Sequence, residues 1–224
     1  EEFTSHRVKE FAITGFSKRG VAAWMAAALD SRVKAIMPGC HEMNLTALNH
    51  AIHQSYGHDP LATAEYNAVH IADFVDDPKL TAIFEMVDPV TSPAYLKRLE
   101  KIDKFFMAVG NDDFFMVDHA KNWLHSVLGP TTYMMKANRP HLSLMTEDDF
   151  LLPAAAFMQS TITKTPMPKI SWEVSDSGAI TVHQVSNHTP LSVKVWHADT
   201  CAAAGLRDFR QVTAYKAWTC VKCG

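Results

Sequence analysis

The sequence has few cysteines, no excess of positive charge and no long hydrophobic run. Only four of its 224 residues are cysteine, at positions 40, 201, 220 and 223, which is too few for a disulfide scaffold in a chain of this length. The formal net charge of −3 offers no basic surface, so we expect no nucleic-acid partner. No apolar run reaches the roughly 18 residues that a transmembrane helix needs, and we expect no membrane span.

Motifs for metal binding are also scarce. Cys220 and Cys223 form a C-x-x-C pair at the tail, but a zinc site needs two more ligands at matching spacing, and none is evident. His50 and His53 lie three residues apart on a predicted helix, and His41 and Glu42 lie just before it. Such a cluster could bind a metal, but it is more often a solvated helix face. We therefore expect no metal. A disulfide between Cys201 and a tail cysteine is an alternative if the protein is secreted.

The composition is otherwise ordinary for a globular protein. Hydrophobic residues make up 47% of the chain and charged residues 20%, so there is material for one large domain and a smaller one. Residues 1–8 are polar and lead directly into a strand, and we expect the natural N-terminus to lie upstream of them. The absence of a targeting segment therefore says nothing about the compartment.

The first two-thirds of the chain alternates between strand and helix patterns. Apolar runs that end at glycine or proline predict buried strands, and alanine- and leucine-rich stretches predict helices. The predicted strands are 11–15, 33–37, 105–109 and 131–136, and the predicted helices are 21–29, 115–128 and 146–162. A strand, turn, helix and strand within about 30 residues make a βαβ unit. The fold class is therefore α/β, with a mostly parallel sheet.

Two segments depart from this alternation. Residues 40–100 look helical and irregular, as expected of an insertion that forms a wall or lid over a site. Beyond a linker at 163–168 the pattern changes to strict apolar–polar alternation, including residues 191–195, which predicts half-buried antiparallel strands. We therefore divide the chain into an α/β domain (1–162) and a small β-rich domain (169–224).

Ser17 lies between the first predicted strand and helix, in the run Gly15-Phe16-Ser17-Lys18-Arg19-Gly20. A sharp turn there lifts the hydroxyl above the sheet, and the backbone N–H of Lys18 would face a developing oxyanion. The run departs from G-x-S-x-G because Arg19 holds the second glycine position. Serine is also a favoured N-cap, so a nucleophile and an ordinary helix cap are both open interpretations.

A serine nucleophile needs a base and an acid that orients the base. In α/β-hydrolases the acid and then the histidine follow later strands. Asp112 and Asp113 follow the third predicted strand, and His141 follows the fourth. Carboxyl ends of parallel strands meet at one edge of the sheet, which predicts a Ser17–aspartate–His141 triad. Spacing does not choose between the two aspartates, and we expect the one that does not face His141 to cap the helix beginning near Phe115. The alternative is that Asp112 caps a helix and His141 lies on a surface loop.

Four blocks of the sequence add a resemblance that covers nearly the whole chain. They are residues 15–20 with Trp24 and 30–38; Asp88-Pro89 and 111–115 with Asp118; 138–141 followed by Ser143-Leu144; and Trp196, Ala198 and Arg207-Asp208-Phe209-Arg210. In this order the blocks resemble the PhoPQ-activated pathogenicity-related protein family. The run 207–210 and the serine block at 15–20 are the most specific pieces.

The resemblance carries several implications. It implies an α/β-hydrolase-like fold whose first strands, with the second oxyanion donor, lie upstream. It puts Asp112 in the acid position and leaves Asp113 as the alternative acid. It also implies a secreted or extracytoplasmic protein.

Two functions are compatible with these features. The first is a serine hydrolase of small-molecule ester or peptide substrates, in which Ser17 attacks, His141 moves the proton, Asp112 orients His141 and the Lys18 N–H stabilises the oxyanion. No cofactor is expected for this chemistry. The second is a secreted signalling or binding protein with a hydrolase-like fold. The sequence names no substrate and indicates no oligomeric state.

Overall fold

The computed structural model describes residues 8–57, 59–141, 148–186, 188–200 and 205–210. In this part of the chain four parallel strands form one sheet in sequential order. They are β1 (Phe11–Phe16), β2 (Val33–Gly39), β3 (Asp103–Val109) and β4 (Thr131–Lys136). A separate antiparallel pair consists of β5 (Ile170–Val174) and β6 (Ile180–Gln184). The predicted α/β class with a mostly parallel sheet is confirmed.

Helices connect and cover the parallel strands. They are α1 (Lys18–Leu29), α2 (Leu45–Tyr56), α3 (Ala64–Asn67), α4 (Pro78–Val87), α5 (Pro93–Leu99) and α6 (Asp148–Thr163). The excursion between β2 and β3 is helical, as predicted, and adds short 3-10 turns at Leu61–Thr63 and Ile71–Phe74. None of the helices in the described ranges combines the length and apolar character needed to span a membrane.

Apolar layers lie on both faces of the parallel sheet. Phe106 packs on one face with Trp24 and Trp123, and its neighbour Phe105 packs on the other face with Phe157. This division follows from the period of two along a strand. Burial on both faces explains why these strands are continuous apolar runs in the sequence.

The prediction of a helix over residues 115–128 is wrong. The segment instead contains two 3-10 turns, His119–Asn122 and Leu124–Ser126, separated by Trp123 with φ −143°. No helical residue adopts that φ. The turn is favoured because it buries Trp123 completely and lets its indole N–H donate to Glu42. Tertiary packing of one aromatic residue therefore overrides the amphipathic pattern.

The β-rich region after residue 169 is more exposed than the sequence predicted. Strands β5 and β6 pair in register, with Trp172 opposite Val182, but the apolar side chains of this hairpin are 56–66% exposed. Residues 191–195 are not part of any strand in the described chain. The expectation of half-buried strands is therefore wrong here: in the described residues, nothing packs on the apolar face to bury it. The domain boundaries proposed above stay predictions.

Candidate active site

Backbone hydrogen bonds continue beyond the strand ends at the carboxyl edge of the parallel sheet. They tie each loop to the next, from Ser17 N to Gly39 O, Cys40 N to Met107 O, Gly110 N to Lys136 O and Asn111 N to Arg139 O. These four bonds measure 2.8–3.1 Å. The loops that carry the sequence-predicted site residues are therefore fixed against one another.

Ser17 occupies a strained turn between β1 and α1. Its φ of 54° and ψ of −126° lie in a region that side-chain-bearing residues rarely adopt. Its hydroxyl makes no capping hydrogen bond to α1, so the structure does not support the ordinary helix-cap interpretation. Lys18 is the first helical residue, and its N–H therefore has no partner within the helical ladder. The turn presents a hydroxyl and an N–H at the same sheet edge.

Two glycines permit this turn and the packing behind it. A Cβ on Gly15 would lie 2.1 Å from the carbonyl oxygen of Arg19, and one on Gly20 would lie 2.5 Å from His41 Nδ1. Both distances are far inside van der Waals contact. The second glycine thus stands at position 20 rather than 19 because the imidazole of His41 lies against that point of α1.

Asp112 and His141 form a buried hydrogen-bonded pair. Nδ1 of His141 lies 2.8 Å from Oδ2 of Asp112, and the two residues are only 5% and 4% exposed. The other oxygen, Oδ1, accepts the backbone N–H groups of Phe114 and Phe115 at 2.7 and 3.2 Å. Because a carboxylate only accepts, Nδ1 carries the proton and Nε2 keeps its lone pair. That is the tautomer a general base requires.

The surroundings of His141 favour its protonated form. Burial between the rings of Phe114 and Phe115, at 4.5 and 5.8 Å, works against a charged imidazole. The hydrogen bond that His141 donates to Asp112 and the negative charges of Asp112 and Asp113 outweigh that burial and raise the pKa of His141. The imidazolium that would form during acyl transfer is therefore stabilised.

Asp113 has a different environment. It is half-buried, and its Oδ1 has no hydrogen-bond partner. Burial, followed by the charge of Asp112, raises the pKa of Asp113. The carboxylate hydrogen-bonded to the ring of His141 is that of Asp112. The expectation that the second aspartate caps a helix is wrong, since no helix begins there and Asp112 receives the free N–H groups.

The structure brings together some of the predicted residues and not others. Asp112 and His141 are in contact, while Ser17 shares their sheet edge without hydrogen-bonding to His141 among the described residues.

His50 and His53, the two helix histidines considered as metal ligands, pair separately with Asp76 and Asp59. The predicted roles of Cys201, Cys220 and Cys223 lie outside the described residues.

One group in the described ranges could hold a metal ion. Ligand atoms of Cys40, Asp112 and His141 lie within 4.8 Å of one another. Both oxygens of Asp112 are already engaged, and a metal would have to displace its bond to His141. Burial also raises the pKa of the Cys40 thiol, whereas zinc binds the thiolate. These contacts suit an orienting acid better than a metal ligand.

Comparison with known proteins identifies the family. The model of the PhoPQ-activated pathogenicity-related proteins matches residues 1–210. The chain belongs to this family. Autocrine proliferation repressor protein A of Dictyostelium discoideum is 27% identical over 224 residues, which is 96% of this chain and 44% of that protein. The chain thus spans less than half the length of this relative.

Solved structures similar to this family member are α/β hydrolases. Acylaminoacyl peptidase of Pyrococcus horikoshii aligns with a TM-score of 0.50 and 14% identity, over 69% of this chain and 24% of the peptidase. Acetyl xylan esterase from Paenibacillus sp. R4 aligns with a TM-score of 0.47 and 16% identity, over 72% of this chain and 49% of the esterase. At such identity the peptidase shows the hydrolase-like fold and nothing finer.

Two buried residues lie behind the site of this family member, and the sequence suggested them only as part of a metal-binding or solvated cluster with His50 and His53. His41 packs edge-on against Trp24 and Phe106, and burial lowers its pKa to about 3. Glu42 accepts from the Trp123 indole, and burial raises its pKa well above the usual value. A cavity of about 10 Å³, close to the space one water molecule needs, lies beside them and Asp112. Their position directly after β2 was the available signal.

Proposed function

We propose that this chain carries the catalytic triad of a serine hydrolase that acts on small ester or peptide substrates. The observation that supports this most is the buried Asp112–His141 pair, 2.8 Å apart, at the same sheet edge as the strained turn of Ser17. Strained backbone at a polar residue is typical of functional sites. The hydrolase-like fold supplies the appropriate scaffold.

The proposed reaction gives a role to Ser17, His141, Asp112 and the backbone of Lys18. Ser17 Oγ attacks the substrate carbonyl carbon while Nε2 of His141 takes the hydroxyl proton. The N–H of Lys18 donates to the oxyanion of the tetrahedral intermediate, and Asp112 stabilises the imidazolium. His141 then returns the proton to the leaving alcohol or amine. A water molecule then attacks the acyl-enzyme in the same way, with His141 again taking and returning the proton, and the acid product is released from Ser17. The missing Ser17–His141 hydrogen bond forms in the substrate complex, because such bonds are loose in the free enzyme.

A second candidate is a secreted signalling or binding protein. It is favoured by the 27% identity to autocrine proliferation repressor protein A, whose name describes a signal rather than a reaction. In this case the Asp112–His141 pair would serve only to fix two loops. Under both proposals the protein acts outside the cytoplasm.

A fluorophosphonate probe separates the two candidates. An activated serine displaces fluoride from the probe phosphorus, so that an O–P bond forms, the P–F bond breaks and His141 takes the proton. We expect labelling of the full-length protein, none of Ser17→Ala and normal labelling of the control Ser126→Ala. Because Ser17 does not cap α1, Ser17→Ala should remain folded. A folded wild-type protein that does not react would favour the binding function.

A further inference from the structure

A short segment near the C-terminus packs against the loops of the candidate active site. We call residues 205–210 the C-terminal clamp. The backbone N–H of Arg207 donates to Ser55 O at 2.9 Å, and its guanidinium pairs with Asp118. The side-chain amide of Asn111 donates to Phe209 O at 2.7 Å. The clamp therefore contacts both α2 and the loop after β3.

Asn111 connects the clamp with two loops of the candidate active site. Asn111 immediately precedes Asp112, and its backbone N–H donates to Arg139 O in the loop that carries His141. Its side chain and backbone thus link the clamp, the acid loop and the histidine loop. Any rotation of this residue would move the Asp112 carboxylate relative to His141.

The far end of the clamp is anchored in a partly desolvated cluster. The guanidinium of Arg210 lies over the ring of Tyr56, 3.9 Å from its centroid, and forms two hydrogen bonds to Asp208 at 2.8 and 2.6 Å. The side chain of Arg210 is 12% exposed. A bidentate pair stacked on an aromatic ring and shielded from water has a defined geometry. The clamp therefore has a fixed end.

We propose that the C-terminal clamp positions the catalytic acid: Asn111, held by Phe209 and anchored through Arg210, keeps Asp112 in hydrogen-bond contact with His141. Asn111 is a positioning residue, since it touches neither the substrate nor the reacting atoms. This inference rests on the proposed hydrolase function. It also gives the run Arg207-Asp208-Phe209-Arg210 a role at the site, although Asn111 and Phe209 are 98 residues apart.

The consequence of losing this contact follows from the forces on His141. Burial disfavours its protonated form, and the Asp112 bond together with the charges of Asp112 and Asp113 favours it. Among the other titratable groups, His41 also faces His141. If Asp112 moves away, burial dominates and the pKa of His141 falls. The labelling rate falls as well, because a misplacement of about 1 Å in a catalytic group can cost about 100-fold.

The test compares two asparagine variants of the full-length protein. Asn111→Ala removes the amide bonded to the clamp, and Asn49→Ala removes an amide bonded within α2, to Leu45 O at 2.9 Å. We expect Asn111→Ala to lower the fluorophosphonate labelling rate about 10- to 100-fold and to lower the pKa of His141, followed by NMR of its ring protons. Asn49→Ala should change neither. A merely structural role would not move the pKa.

The outcomes separate this inference from the proposed function. A lower pKa of His141 in Asn111→Ala, with a wild-type protein that does not label, would support the clamp and reject the hydrolase. An unchanged pKa and labelling rate in folded Asn111→Ala would overturn the clamp and leave the hydrolase intact. If Asn111→Ala does not fold, Arg207→Gln replaces it, since an exposed substitution is tolerated. It should shift both quantities in the same direction by less, and no shift would also overturn the clamp.

Discussion

The parallel sheet and the β5–β6 hairpin use similar apolar residues with different results. Phe105 and Phe106 in β3 are at most 1% exposed, whereas Trp172 in β5 is 64% exposed. The parallel sheet has packed layers on both faces, and the described residues place none on the hairpin. The buried Asp112–His141 pair lies at the edge of the parallel sheet. The difference indicates that burial on both faces of a sheet fixes the ends of its strands well enough to align the side chains that follow them.

The largest effect that would test this view is at the acid. Asp112→Asn keeps the shape of the side chain but removes the charge that holds the imidazolium, and in a known triad such a change costs about 10⁴ in rate. Asp113→Asn should cost far less, because in the described structure the ring of His141 is hydrogen-bonded to Asp112 rather than to Asp113. Labelling rates of both variants with a fluorophosphonate would check this. Equal losses would mean that the two carboxylates act as one group.

A core substitution should show how much the parallel sheet depends on its layers. Trp24 is fully buried and packs edge-on against Trp123, with ring centroids 6.2 Å apart. Trp24→Ala should lower the free energy of unfolding by about 3–5 kcal/mol, measured by urea denaturation. The neighbouring exposed Ala22→Ser serves as a control with little effect. A loss below about 1 kcal/mol would mean that the layer is not tightly packed.

The contact between Gly20 and His41 predicts an intermediate effect. In Gly20→Ala the added methyl meets the imidazole at 2.5 Å, and overpacking of this kind costs about 1–3 kcal/mol. The cost should shrink in a His41→Ala background, because the clash is then relieved. A double-mutant cycle in urea measures it. Additive losses would show that the ring of His41 is not the obstacle.

The labelling rate should depend on pH through His141. Burial lowers the pKa of His141, but the hydrogen bond to Asp112 and the charge of that carboxylate raise it by more, so the pKa lies above the usual value. The neutral base is therefore lost as pH falls through that raised pKa. Below that value the rate should fall about tenfold per pH unit. For folding the sign is opposite: a raised pKa contributes stability at low pH that is lost as pH rises through it. A labelling profile with a midpoint below the ordinary histidine value would contradict this assignment.

The smallest effect is expected in the hairpin. Within the described residues Trp172 is paired across the strands with Val182, and such pairs contribute roughly 0.2–1 kcal/mol. Trp172→Ala should therefore lower the free energy of unfolding by no more than that amount, in the same assay as Trp24→Ala. A loss of several kcal/mol would show that this face is covered in the full-length protein, and the contrast between the two regions would then disappear.

The sequence predicted the elements that local chemistry determines. β4 has the bounds expected from its apolar run between Gly129-Pro130 and a polar loop, and α1 begins only three residues earlier than expected. The rule that chemistry lies at carboxyl strand ends placed Asp112 and His141 correctly at one edge. The choice of Asp112 over Asp113 required the resemblance, because spacing alone did not decide it.

What the sequence could not give depends on contacts between distant residues. The helix predicted over 115–128 failed because Trp123 turns inward to reach Glu42, 81 residues away. The position of His41 directly after β2 marked this residue, but its packing against Gly20 of α1 joins residues distant in the sequence, and the sequence pattern does not show that contact. The exposure of the hairpin had the same cause, since alternation predicts an apolar face but not a partner to cover it.

The backbone of Ser17 has a consequence for how this protein tolerates change. Residues held in such rare conformations cost about 1–3 kcal/mol, and glycine adopts positive φ without that penalty. Ser17→Gly should therefore melt at a higher temperature than the natural sequence while losing its nucleophile. A directed-evolution experiment that rewarded heat resistance alone would discard the hydroxyl early. Serine rather than glycine at this strained position is what the proposed nucleophile would require.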